Sequence, residues 1–231
     1  MNKIREIVKS SKTAAWLDIR RFFLKTFDKK KSVNFVSDNP VIFDIGSSDG
    51  TDTLEWRKIF PKAAIYAFEP EPSSFQQLLK KVKGGNIECH NIAFGEFNGN
   101  AKFHVTNDKL PQGASLRKPT GILQTNPQTK FVKTIDVKVV TLEKFLEENS
   151  IKAIDILWLD TQGTELEILQ NSGNILDTVK IIHTEISLVK LYDGSALYSE
   201  LKKFLESKNF KVFEEIIYFG ISGNVVFIKN D

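Results

Sequence analysis

Cysteine is almost absent. Cys89 stands alone, so no disulfide can form within the chain, which suits a reducing compartment. With one cysteine and three histidines, nothing has the spacing of a structural zinc site. No apolar run approaches the roughly 20 residues needed to span a bilayer. The first residues also lack the uncharged apolar stretch of a secretory signal, because Lys and Arg recur through them. A cytoplasmic protein is the expectation. Internal repeats and low-complexity tracts are lacking as well. Net charge is only +3, too little to argue for nucleic acid by itself.

What is present is an ordinary globular composition. The 231 residues are 41% hydrophobic and 26% charged, enough to bury a sizeable core without disulfide or metal staples. The basic excess sits at the front, where residues 1–40 carry ten Lys/Arg against four acids. Residues 3–27 read as a basic amphipathic helix, with Ile4, Ile7, Val8, Trp16, Ile19, Phe22, Phe23 and Phe27 at helical spacing. Its apolar side is expected to pack on the domain or on a second copy of the chain, as in a homo-oligomer. Peripheral contact with an anionic membrane is the competing use. Polar residues 28–39 read as a linker or loop. The chain therefore divides into a helical extension, 1–40, and a domain, 41–231.

From Val41 onward short apolar runs alternate with helical patterns. Strands are expected at 41–45, 64–68, 87–94, 154–160, 180–186, 210–218 and 224–229. Helices are expected at 51–60, from Pro70–Pro72 to about Val82 with Gly84 and Gly85 as its stop, and at 142–149, 164–171 and 195–208. This is the pattern of a doubly wound α/β fold with a mainly parallel seven-stranded sheet. The last two strands are too close for a crossover helix, so one of them must be antiparallel. Residues 101–106 and 132–140 supply a further strand pair around a long irregular loop, 107–130, of the sort that often forms a lid.

The sharpest motif is VIFDIGSSDG, residues 41–50. An apolar strand carries Asp44, and Gly46 and Gly50 frame a turn into a helix. Such a turn lets a ligand approach the backbone and offers the positive end of a helix to a carboxylate. Ser48 stands where the dinucleotide fingerprint requires its second glycine, which favours a nucleoside without pyrophosphate over NAD. The second motif, AFEP, ends the next strand at Glu69, an acid placed to accept ribose hydroxyls.

These blocks resemble the FkbM family of methyltransferases. FDIGSSDG is similar to that family's opening, YAFEPEPSSFQQL to its second block and NIAFGEFNG to its third. IDILWLDTQGTELEIL and IIHTEIS are similar to its fourth and fifth, in the same order. The resemblance implies a class I methyltransferase fold, Rossmann-like, with S-adenosylmethionine as cofactor and O-methylation of a sugar or glycosylated small molecule. By position it implies Asp44, Gly46, Ser47 and Gly50 around the methionine half, Glu69 at the ribose, Asn91 and Ala93 near the adenine, and Asp160 near the methyl donor. The chain departs from the family pattern at Ser47 and Ser48, at Trp158 where lysine is frequent, and at Thr161-Gln162-Gly163 in place of valine–glutamate–glycine.

Asp160, His183 and Glu185 form the expected catalytic constellation. Two neighbouring strands end there on the ligand side, and the two-residue spacing puts His183 and Glu185 on one face. Either could take a hydroxyl proton, although a histidine on an apolar strand is as readily a satisfied core residue, which is the competing reading of His183. Asp160 and Glu185 could instead hold Mg²⁺, although no third ligand is evident. Tyr192 is placed to stack on an acceptor sugar, or else to fill a turn, and residues 113–116 resemble a small-residue segment of the family. Two other readings are weaker. One is a cofactor-binding protein without catalysis; the other is a nucleic-acid module using the basic leader.

Overall fold

The computed structural model describes residues 27–83, 86–106, 113–125 and 130–230. The expected helix at 3–27, apart from Phe27, lies outside the described residues, as do Gly84, Gly85 and residues 107–112 and 126–129 of the long loop.

Among the described residues ten strands and six α-helices follow in order: β1 (Val41–Ile45), α1 (Thr51–Ile59), β2 (Ala64–Phe68), α2 (Pro72–Lys81), β3 (Ile87–His90), β4 (Ala93–Phe94), β5 (Gly99–Thr106), α3 (Ile122–Thr125), β6 (Phe131–Val140), α4 (Leu142–Glu148), β7 (Ile156–Leu159), α5 (Glu165–Gln170), β8 (Ile181–Ser187), α6 (Tyr198–Ser207), β9 (Phe210–Tyr218) and β10 (Ser222–Lys229). The main sheet has the order β3-β2-β1-β7-β8-β10-β9. The first five of these strands run parallel, and β10 lies antiparallel between β8 and β9. The expected seven-stranded doubly wound sheet with a closing hairpin is therefore the observed one. Strand order reverses between β1 and β7, and in such sheets the crevice at that switch point is where ligands sit.

Period-two burial builds the two layers. Phe43, Ile45, Leu157, Leu159 and Ile182 enter one core with Phe68, Phe145 and Ile168. Their neighbours Ile42, Ile156, Trp158 and Ile181 enter the other, with Trp56, Phe60 and Val226. The helices are capped from the sequence. Glu71 accepts the Ser74 N–H ahead of α2, with Pro72 in its first turn, and Thr141 does the same for α4 through Lys144.

Residues 87–94 differ from the expectation of one strand. The run breaks at Asn91, whose amide donates to the carbonyls of Glu69 and Pro70 at 2.8 and 3.0 Å. β4 then leaves the main sheet and pairs with Val139 and Val140 of β6. This makes the expected β5–β6 pair a three-stranded sheet, β4-β6-β5.

Residues 28–39 are not a free linker. Residues Lys29–Asn34 form a 3-10 helix capped by Asp28. Lys29 is only 5% exposed and pairs with Asp52 and Glu55 of α1. Its ammonium also lies 4.3 Å from the centroid of the Trp158 ring. Burial disfavours this charge, but the two carboxylates more than offset that and its pKa is raised. Lys29→Ala should cost about 1–3 kcal/mol, below the usual figure for a broken buried pair because both acids remain solvated. Urea unfolding would show this as a lower midpoint, and an unchanged midpoint would contradict it.

Candidate active site

The turn after β1 is fastened to β2. The Gly46 and Ser47 N–H groups both donate to the Phe68 carbonyl at 2.9 Å. The Ser47 hydroxyl donates to the Asp44 carbonyl at 2.7 Å and accepts the Phe68 N–H at 3.0 Å. One residue beyond β2, the buried Glu69 carboxylate reaches back across this turn. It accepts the Ser48 N–H at 2.9 Å on one oxygen and the Glu71 N–H at 2.8 Å on the other. Burial pushes Glu69 up to about 7, against the pull of these two donors.

A cavity of about 920 Å³ opens beside this turn, inside the range of small-molecule sites. Among the described residues its walls include Gly46, Ser47, Glu69, Ala93 and Asp160, which the sequence assigned to cofactor binding. The other three of that set stand behind the wall. Asp44 accepts the Thr53 hydroxyl, and burial followed by nearby Asp52 raises it to about 7. Gly50 backs onto α2, where a Cβ would sit 2.7 Å from Leu78 Cδ1. Asn91 holds the Glu69–Pro70 backbone as described.

One wall of the cavity is formed by the segment after β7, through Asp160, Thr161, Gln162 and Thr164. Asp160 faces the cavity, and Glu185 lies behind it and donates a hydrogen bond to the Asp160 carboxylate. Although its side chain is open to the cavity, the surrounding protein limits its hydration, and this, opposed by the Gln162 amide, raises Asp160 to about 6. Burial and the neighbouring Asp160 hold Glu185 well above the usual carboxyl range. Gln162 bridges the pair, donating to Asp160 Oδ1 at 2.7 Å and to Glu185 Oε2. Glu165 lies next to both and accepts N–H groups from Thr161 and Gly163.

His183 does not join them. Its ring is 4% exposed and stacks on Trp158, with centroids 3.4 Å apart and planes 6° apart. Burial and then Lys29 push its pKa well below the usual value, so it is neutral. It is on the same strand face as Glu185, as expected, but one pleat deeper and away from the cavity lining. Tyr192 follows the second of its two expected readings and fills the turn. Its ring is 2% exposed and turned inward, and its hydroxyl donates to Gln162 Oε1 at 2.7 Å. Of the small-residue segment, Ala114 and Leu116 line the cavity together with Phe103 and Val105 of β5. Among the described residues no group of three His, Cys, Asp or Glu side chains is placed to hold a metal ion, so nothing completes the expected Mg²⁺ pair. Nor is any helix among them long and apolar enough to cross a membrane.

The residues missed from sequence are Gln162, Glu165 and Glu71. Gln162 carried one signal, its departure from the family pattern. Glu71 carried another, an acid just before a proline that opens a helix.

A doubly wound sheet with an antiparallel β10, a glycine turn after β1 and an acid after β2 defines a class I methyltransferase. The chain matches the methyltransferase FkbM domain over residues 44–212 and belongs to that family. It is 28% identical over 196 residues to the 2-O-methyltransferase NoeI of Sinorhizobium fredii, covering 81% of this chain and 79% of that one. With the hexuronic acid methyltransferase AglP of Haloferax volcanii it shares 21% identity over 182 residues, 76% and 70% of the two chains. Among solved structures, methyltransferase FkbM of Methylobacillus flagellatus superposes with a TM-score of 0.54 at 13% identity, over 87% of this chain and 46% of that one. The Methanococcus jannaschii fibrillarin pre-rRNA processing protein gives 0.51 at 17% identity, over 84% and 67%. This family and fold use S-adenosylmethionine as the methyl donor.

Proposed function

We propose that the protein transfers a methyl group to a hydroxyl oxygen of a sugar or glycosylated small molecule. The observation that carries this reading is the Asp160–Glu185 carboxyl pair beside the cavity, next to the turn that would hold the cofactor. The named activities of two relatives, one a 2-O-methyltransferase and one a hexuronic acid methyltransferase, support the acceptor class.

The cavity walls fit the cofactor chemically. Glu69 has lone pairs left on both oxygens after its two backbone donors, which suits two ribose hydroxyls. The turn at Gly46 and Ser47, ahead of α1, suits the methionine carboxylate. Ile92, Ala93 and Phe94 give an apolar wall for the adenine. Asp160 offers negative charge to a sulfonium. When bound, S-adenosylmethionine supplies an electrophilic methyl group and is left as S-adenosylhomocysteine.

The protein's own part is then to orient and to take a proton. Phe103, Val105, Ala114 and Leu116 give the acceptor an apolar floor and exclude water. Thr161 and Thr164 also line the cavity. As the acceptor oxygen gains its bond to carbon, its O–H proton passes to the Asp160 carboxylate, whose charge Glu185 steadies through their shared hydrogen bond. In-line placement and this proton transfer are the two contributions expected.

Incubation with methyl-labelled S-adenosylmethionine and a panel of methyl glycosides and glycoconjugates tests the reading. Label should arrive in an alkali-stable ether on the sugar. Label in an amine or an ester would overturn the acceptor class. Cofactor binding without any transfer across the panel would favour a silent binding protein.

A further inference from the structure

Gln162 is held in a conformation that its own chemistry does not favour. Its φ is +58°, the left-handed region that residues with a Cβ adopt only under constraint. The constraint comes from elsewhere in the fold. The hydroxyl of the fully buried Ser115 donates to the Gln162 carbonyl at 2.7 Å. Ser115 is itself fixed by a two-way backbone bridge to His104 of β5, at 2.7 and 3.0 Å.

The side chain is committed too. A primary amide has two N–H donors, and both go to the carboxyl pair, one to Asp160 and one to Glu185. Its oxygen accepts from Tyr192, and that bond decides which end of the amide faces the carboxyls. Tyr192 cannot drift, because it packs over Gly163, where an added Cβ would lie 3.3 Å from Tyr192 Cβ. The segment around Tyr192 is joined to residues 118–122 by three backbone hydrogen bonds: Thr120 and Ile122 N–H to Leu191 O at 3.2 and 3.1 Å, and Asp193 N–H to Lys118 O at 2.9 Å. The two acceptor-side loops are thus one hydrogen-bonded unit. Its hydrogen bonds converge on Gln162, from Ser115 on one side and Tyr192 on the other.

We propose that Gln162 is a positioning residue for methyl transfer, aiming the Asp160–Glu185 pair at the acceptor, and that the acceptor-side loops set its aim through Tyr192 and Ser115. The proposal rests on the reading of the pair as the proton acceptor. Other groups face the pair: Glu165 from α5, Asp52 from α1, Tyr192, and Tyr218 of β9, whose hydroxyl accepts from Asn224 of β10. The Gln162 amide is hydrogen-bonded to both carboxyls. A donor that holds both fixes their relative orientation, and misplacing a reacting group by an ångström can cost about 100-fold.

A double-mutant cycle on the full chain tests this, using Gln162→Met, Tyr192→Phe and the pair together. The first readout is the infrared carbonyl stretch of the protonated carboxyl, taken with S-adenosylhomocysteine bound and assigned by its loss in Glu185→Gln. Gln162→Met should shift the band. Tyr192→Phe should shift it less, and not at all once Gln162 is already Met. The second readout is turnover with the methyl glycoside panel. Gln162→Met should lower kcat about 10- to 100-fold with S-adenosylhomocysteine affinity within about twofold of the parent. A band unmoved by Gln162→Met, or shifts by the two substitutions that simply add, would overturn the proposal. So would equal losses of kcat and cofactor affinity, which mark a merely structural residue. If Asp160→Asn and Glu185→Gln keep full turnover while the band behaves as expected, the proton-acceptor reading fails and the coupling of Gln162 to the pair stands.

Discussion

Asp160→Asn should lower turnover on the order of 100- to 10,000-fold, the usual contribution of a positioned base, while affinity for S-adenosylhomocysteine stays within a few-fold. Asparagine keeps the shape of the side chain and its place at the end of β7, and it can still accept from Gln162. What it cannot do is take a proton. Glu185→Gln should cost less, because Glu185 stands one layer back and acts through Asp160. His183→Phe should leave kcat within about twofold, since the ring is stacked under Trp158 and outside the cavity. The pH profile follows from the same geometry. Asp160, at about 6, is neutral below that value and cannot serve as a base, so turnover should fall as pH drops through about 6. Glu185 is held well above the ordinary carboxyl range by burial and by the neighbouring Asp160. A chelator should change nothing. A flat acid limb together with full activity in Asp160→Asn would leave proximity alone as the source of rate.

The parts of this picture that were legible in the sequence are those fixed by local pattern. Strand-like runs of five to nine residues, bounded by turn signals, marked most strands of the main sheet. Gly46 and Glu69 declared themselves because each sits one residue past a strand, where only a few residue types serve a ligand. The pieces that were hidden depend on contacts distant in sequence. Residues 87–94 show no break in hydrophobicity, and β3 and β4 separate because the Asn91 amide finds carbonyls 21 and 22 residues back. Lys29 reads as one of several lysines in a polar run, and only the folded chain places it over Trp158. His183 shows the limit of periodicity. The two-residue spacing gave its face correctly, but each step of two along a strand is about 6.6 Å of depth, and that was enough to carry it into the core. Gln162 is set by partners 30 and 47 residues away, Tyr192 and Ser115, which no local pattern announces.

Gly46→Ala should weaken cofactor binding and destabilise the fold together. Gly46 has φ +88°, so any side chain there is strained by about 1–2 kcal/mol before contacts are considered. The contacts are worse. A Cβ at Gly46 would overlap the Asp160 carbonyl, lying 2.8 Å from its carbon. That obstacle is backbone and cannot rotate away. It is also held in place, because the Asp160 N–H donates to Ile45 O at 2.9 Å, the last hydrogen bond joining β1 to β7. Relief therefore requires the two strands to part at the switch point or the turn to lift off Phe68. Either movement displaces Asp160 and the cavity wall at once. Overpacking of this kind adds about 1–3 kcal/mol, so the total is about 3 kcal/mol. For a domain of this size that is a fall in Tm of roughly 6–12 °C. Gly220 provides the control. It too has positive φ, +64°, but nothing lies within 4 Å of its would-be Cβ. Gly220→Ala should lose only the backbone strain, about 1 kcal/mol, and bind S-adenosylhomocysteine normally. Gly46→Ala should bind it at least about 10-fold more weakly, because the turn itself must move. Calorimetry and thermal unfolding on the two variants decide the matter. Parental affinity in Gly46→Ala would show that the turn after β1 does not hold the cofactor.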